Sequence, residues 1–179
     1  MTKPATYIAL LRGINVGGKN IVPMAALRAC LTDAGLDNVR TYIQSGNVVF
    51  GSTSSDKEAL VETVRNAMSE AFDVRPAVMI LNASELSEAV AACPYLSEPV
   101  EDKCIHLTFL DGDPAVDALE AAAALATASE RFALHGRVFY QLAPDGIGRS
   151  KLAARIEKVL GVSATSRNVR SCRKILELV

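Results

Sequence analysis

The sequence predicts an α+β fold made of two βαββαβ units, each an antiparallel sheet with helices on one face. Three observations lead to it. The apolar run YIALL at 7–11 has the length of a strand and gives way to glycines and then to a helix with Pro23 at its start. Two β-rich runs in TYIQSGNVVF, 41–50, flank Ser45-Gly46 as a hairpin. After residue 104 the same alternation of strand, helix, hairpin, helix and strand returns. Units of this order are ferredoxin-like. The expected boundaries are 1–82 for the first unit, 83–103 for a linker with a short helix, and 104–179 for the second unit with a C-terminal helix.

Residues 6–12 read as a central strand, because consecutive apolar positions need cover on both faces. Pro23 suits the first turn of the next helix and Gly35 stops it. The hairpin is read with a two-residue Ser45-Gly46 turn, so that Gln44 and Asn47 face each other across the ladder. A helix from about Asp56 to Phe72 sets Leu60, Val64 and Met68 on one face, and AVMIL at 77–81 is the fourth strand. A short helix near 84–91 leads to a strand at 104–110, a helix opening at Asp113-Pro114, and a hairpin of RFAL with RVFYQL around His135-Gly136. A helix from Ser150 to Leu160 stops at Gly161. Only VSAT at 162–165 is left for the closing strand, and a final helix covers 168–178.

Composition sets the class. With 179 residues, half of them hydrophobic, the chain suffices for one generous domain or two small ones sharing a core. Its apolar runs are far shorter than the roughly 18 residues a bilayer span requires. Arg12 interrupts the N-terminal apolar stretch too early for a secretory signal. Four scattered cysteines, at 30, 93, 104 and 172, form neither a zinc spacing nor a disulfide frame. A cytoplasmic protein with no membrane partner is expected. Residues 80–148 carry 3 Lys and Arg against 11 Asp and Glu, whereas 149–179 carry 8 against 2. That polarity fits either a polar partner for the tail or complementary surfaces of one molecule.

Functional chemistry concentrates in two glycine-rich loops. In IALLRGINVGGKN a strand runs into Gly13, Gly17 and Gly18 with Arg12 and Lys19 on either side, an arrangement that can turn backbone N–H groups toward an anion. The spacing matches a phosphate-binding P-loop only superficially, since Pro23 starts the helix about three residues too late and hairpins replace the parallel sheet. PDGIGRSKL at 144–152 again joins a strand to a helix, with Ser150 as N-cap beside Arg149 and Lys151. Gln44, Ser45 and Asn47 offer uncharged donors and acceptors, although turn chemistry also explains them. Neither His106 nor His135 has a catalytic setting, and DGDPAVD at 111–117 reads as helix capping before it reads as a metal site. No nucleophile signature is present. The sequence points to no metal, catalytic residue or cofactor.

LLRGINVGGKN with TYIQSGNVVF, and PDGIGRSKL with ATSRNV, closely resemble the DUF1697 family of bacterial proteins of unknown function, over nearly the whole chain. The resemblance implies a duplicated ferredoxin-like arrangement and no established activity. It places Arg12, Gly13, Asn15, Gly17, Gly18, Lys19, Gln44, Ser45, Gly46, Asn47, Ser150, Lys151, Arg167 and Asn168 at signature positions. Cys93-Pro94-Tyr95 departs from the Asn-Pro-Phe frequent in relatives. The leading expectation is a protein that binds a polar or anionic, phosphate-bearing small molecule in a cleft formed by both loops. Its ligand-binding set is Arg12, Asn15, Gly17, Gly18, Lys19, Gln44, Ser45, Asn47, Ser150, Lys151, Arg167 and Asn168. The alternatives are a nucleic-acid-binding module, prompted by the basic tail but short of aromatic residues, and a protein-interaction module using Val169, Cys172, Leu176 and Val179.

Overall fold

The computed structural model describes residues 4–179, which divide into two units. The first takes in the chain as far as Leu86 together with Lys174–Val179. Its elements are β1 (Ala5–Arg12), α1 (Met24–Asp33), β2 (Asp37–Tyr42), β3 (Asn47–Ser52), α2 (Lys57–Phe72) and β4 (Ala77–Asn82), with α3 (Ala83–Ala91) following at once. The strands lie antiparallel in the order β2-β3-β1-β4. Tyr7, Ala9 and Leu11 pack with Val48, Phe50 and the apolar stripes of α1 and α2, among them Leu27, Leu31, Leu60, Val64 and Met68. Ile8 and Leu10, pointing the other way, are buried as well, so β1 is covered on both faces as its sequence requires. Asp56 starts α2 by accepting from the backbone N–H of Glu58 and Ala59.

The second unit, Ser87–Arg173, contains β5 (Ile105–Leu110), α4 (Ala118–Ala123), β6 (Arg131–His135), β7 (Val138–Leu142), α5 (Lys151–Ala154), α6 (Ile156–Leu160) and β8 (Ala164–Asn168). The last helix, α7, is Val169–Leu176. Strand order is β6-β7-β5-β8, the same as in the first unit, and all pairs are antiparallel. Leu110, Phe139 and Ala164 meet Ala118, Ala122, Leu152, Val159 and Leu160 in its core. The stretch read as a linker is packed into this unit. Cys93 and Tyr95 are buried, the Tyr140 hydroxyl donates to the Ala89 carbonyl at 2.9 Å, and Arg131 lies over the Tyr95 ring while pairing with Glu98. The division falls at Leu86/Ser87, inside α3.

Four local readings are corrected. The first hairpin turn has four residues, 43–46, because the ladder closes at Tyr42–Asn47; Gln44 and Asn47 are not partners. Ile43 at φ 50° and Gly46 at φ 77° make that longer turn. The helix expected at Asp113 begins only at Ala118: before it, the Ala115 N–H bonds away to the Leu160 carbonyl at 2.8 Å, and Arg137 pairs with the Asp113 carboxylate at 2.9 Å. The helix expected from Ser150 to Leu160 breaks at Arg155, whose ψ of 17° leaves the helical range. The closing strand runs to Asn168, past VSAT, carried by a Glu157 carboxylate on the Ala164 N–H and by a Thr108–Ser166 hydroxyl pair.

Register aligns the two sheets position by position. Tyr7 sits between Phe50 and Asn82, and His106 sits between Gln141 and Asn168. Asn82 and Asn168 each end the fourth strand and cap the helix that follows, accepting from the N–H three residues on at 2.8 Å. One backbone bond recurs as well: Leu11 N–H to Gly46 carbonyl at 2.8 Å, and Leu110 N–H to Arg137 carbonyl at 2.9 Å.

Candidate functional site

The loop after β1 is a small stiff hairpin. Ile14 is buried as its anchor, and Val16 to Lys19 closes into a turn through a Lys19 N–H to Val16 carbonyl bond of 3.1 Å. Gly17 at φ 59° and Gly18 at φ 74° make it the doubly left-handed kind that favours glycine at both central positions. Two asparagines lock its base. Asn15 donates from its amide to the carbonyls of Val22 (3.0 Å) and Gln44 (2.9 Å) and accepts from the Val22 N–H (2.7 Å). Asn20 donates to the Gly13 carbonyl at 2.7 Å. This clasp joins the glycine loop to the 43–46 turn.

The candidates of the first unit therefore fall into two groups. Asn15 and Asn47 hold the backbone: Asn47 is buried and donates to the Tyr42 carbonyl (3.2 Å) and the Ser45 hydroxyl (3.0 Å). Arg12, Gly17, Gly18, Lys19, Gln44 and Ser45 are exposed on the surface that the clasp creates. Helix α1 begins at Met24 with Pro23 at its cap, well beyond the Gly18-Lys19 step, so this is no P-loop.

The candidates of the second unit are mostly engaged in structure. Ser150 caps α5, accepting from the Ala153 N–H (3.0 Å) and from the Gln141 amide (2.9 Å). The same amide reaches Glu130 at 2.9 Å. Burial pushes the Glu130 carboxyl up, but hydrogen bonds from Ser150, Thr127 and Gln141 outweigh it and hold the group below the usual carboxylate range. Beside this network lies a cavity of about 230 Å³ lined by Thr127, Glu130, Asp145, Gly146, Arg149 and Ser150 among others, with two carboxylates and one guanidinium in its wall. Lys151 is exposed at the start of α5. Arg167 lies on β8, where burial pulls its pKa down to about 10 and its guanidinium donates to Thr165 (3.2 Å) and the Ser166 carbonyl (2.8 Å). Asn168 caps α7.

His106 is buried with Nδ1 lacking a hydrogen-bond partner; burial lowers its pKa and a backbone hydrogen bond with Cys104 only partly opposes this. Cys172 is buried too, its thiol pushed up to about 12 by desolvation. Among the described residues, no three His, Cys, Asp or Glu side chains are grouped to hold a metal ion. The basic tail spends part of its charge internally, on the Arg170–Glu101 and Arg173–Asp102 pairs. Val169 and Cys172 of α7 are buried alongside Ile175, while Val179 stays about half exposed.

Val116 and Leu119 are exposed in the second unit, and at the first unit's loops sequence reading does not single out three exposed apolar residues, Val16, Ile21 and Ile43. Their signal was present in VGGKNIVP and YIQSG: aliphatic side chains inside turn-forming stretches where no core can receive them.

Residues 5–140 match the family model described as "Protein of unknown function (DUF1697)", well over half of the chain, and the chain belongs to that family. Among solved structures it is similar to the conserved bacterial protein SP0830 from Streptococcus pneumoniae, at 25% identity and a TM-score of 0.72, with 99% of each chain covered. No curated protein is matched.

Proposed function

We propose that this DUF1697 member binds a polar, anionic ligand of the phosphate type at the end of its first unit, through the loop 12–20 and the turn 43–46. One observation carries the reading: the Asn15 clasp fixes both segments, so that Arg12, the Gly17-Gly18 turn and Lys19 are presented in one rigid arrangement. Rigidity matters because a preorganised loop loses little entropy on binding. Cations supply attraction, glycine backbone permits close approach, and Gln44 and Ser45 add uncharged hydrogen-bonding groups. The buried aromatic rings Tyr7, Phe50, Phe139 and Tyr140 argue against base stacking, which weakens the nucleic-acid reading.

Thermal unfolding against inorganic phosphate, sulfate, nucleotides, sugar phosphates and short RNA tests this. A saturating phosphate compound should raise the midpoint by several degrees, because ligand at 100 times its dissociation constant adds about 2.7 kcal/mol to the folded state. The shift should vanish in Lys19→Ala, whose exposed side chain can be removed without unfolding the protein. An unchanged shift in that folded variant removes the loop from the site.

A further inference from the structure

We infer that the anion met by this loop is the headgroup of a phospholipid in an anionic bilayer, so that the end of the first unit is a peripheral membrane-contact surface. The inference rests on the anion-binding reading above and deepens it by naming the partner.

Val16, Ile21 and Ile43 are 66%, 69% and 52% exposed. The clasp gathers them. Asn15 bonds to both Val22 and the Gln44 carbonyl, so the chain neighbours Val16, Ile21 and Ile43 surround one fixed point. Residues 16–21 form an unbroken exposed run, and nothing in that run packs its aliphatic side chains into a core.

Ile43 is the sharpest sign. It occupies the left-handed region at φ 50°, where a β-branched residue is strained and asparagine or glycine is the ordinary choice. Folding gives no reason for isoleucine there, because its side chain is exposed. A role for the apolar surface itself does.

Charge selects the occupant. Arg12 and Lys19 belong to the same surface, and Arg28 donates to Thr41, two residues from Ile43. Asp33 and Asp37 lie at the opposite end, at the C-terminus of α1 and beside Gly51. The acids nearer this end include Glu70 and Asp73, in the last turn of α2 and just after it, and Glu177, which is paired with Lys174 near Tyr42; Arg75 is paired with Glu62. Three aliphatic side chains with a few cations fall well short of the roughly 20–30 residues a side that a stable protein interface uses. A bilayer demands no shape complementarity and needs only apolar groups to enter its interface and cations to meet its headgroups. No described helix is long and apolar enough to cross a membrane, so the contact is peripheral and reversible. This departs from the sequence expectation of no membrane partner.

The full-length protein is sedimented with vesicles of phosphatidylglycerol mixed into phosphatidylcholine, and with phosphatidylcholine alone, at low and high salt. It should co-sediment only with the anionic vesicles and be released by salt. Lys19→Ala should weaken partitioning about fivefold, the contribution of one cation at an anionic surface. The combined Val16→Ser, Ile21→Ser and Ile43→Asn variant should weaken it at least tenfold, and Ile43→Asn alone, which relieves the strained φ and so stays folded, should weaken it measurably. Equal partitioning of the folded wild type and these variants overturns the inference. Protection by inorganic phosphate without vesicle binding overturns it too and leaves the anion reading standing; absence of both takes down the two together.

Discussion

The two units share strand order, register and the bond from the end of the first strand to the residue before the third, yet their corresponding loops have opposite chemistry. In the first unit the loop after β1 and the hairpin turn are joined by the neutral Asn15 amide, and the exposed cations are Arg12 and Lys19. In the second unit the corresponding segments are joined by an exposed ion pair, Arg137–Asp113, in a stretch that also carries Asp111 and Asp117. The sheet interiors differ as well. Tyr7 stacks on Phe50 at 5.9 Å, whereas His106 and Gln141 occupy the matching pair of positions. One strand order thus carries a basic, rigidly clasped end in one unit and an acidic end in the other, with His106 and Gln141 where the first unit has Tyr7 and Phe50. Function has to be argued from side chains and loops, since the shared strand order does not distinguish the two units.

The largest test of the difference lies in the turns. A Cβ at Gly46 would meet Leu11 Cβ at 2.7 Å and the Leu11 carbonyl at 3.0 Å, at φ 77°; at Gly136, φ 55°, it would meet nothing within 4 Å. Gly46→Ala should therefore cost about 3 kcal/mol or more, combining overpacking with a left-handed alanine, and Gly136→Ala only about 1 kcal/mol. Denaturant unfolding measures both; equal costs would mean that the first unit's loops are no more tightly joined than the second's.

The clasps themselves come next. Asn15→Ala removes three hydrogen bonds, two of them part-buried and one exposed, and should cost about 2 kcal/mol. Asn15→Gly, which suits the φ of 53°, separates the backbone contribution from the hydrogen bonds. Asp113→Asn, which breaks an exposed pair, should cost below about 1 kcal/mol. If the two clasps prove equally weak, the claim of a preorganised first loop fails, and the proposed binding surface loses its main support.

How far the sequence shows this depends on whether a residue's role is local. β1, α2 and the cap at Asp56 are legible because apolar spacing and helix-start chemistry act within a few residues. β8 is nearly hidden: ATSRN carries one small apolar residue, and its strand conformation depends on Thr108 and on Glu157, which only the folded chain brings near. The same limit applies to the site. Glycines and cations mark the first loop, but Asn15 reads as one more polar ligand candidate until its partners at Val22 and Gln44, the latter 29 residues away, show that it is holding backbone. Ser150 is the reverse case, since its capping role is local and could be read directly.

The smallest expected effect concerns the interiors. His106, at the position Tyr7 holds in the first unit, is buried with an unpartnered Nδ1 and a pKa lowered by burial below the ordinary 6.5. Below pH 6.5 the unfolded chain takes up a proton that the folded chain refuses, so stability should fall as pH drops from that value toward the depressed folded-state value. The sign is fixed by the direction of the shift: the contribution is fully present above the unfolded value and lost on the acid side. Carboxyl groups such as Glu130, also lowered, add their own loss only nearer their ordinary value of 4.5, which leaves pH 6.5 to 5 as the histidine window. Unfolding measured across that window should show a slope in the wild type and a nearly flat line in His106→Gln, which keeps a polar side chain beside Gln141 without a titrating ring. A wild-type profile as flat as the variant's would mean that the folded protein accommodates the imidazolium, and that the second unit's interior is wetter than its counterpart around Tyr7 and Phe50.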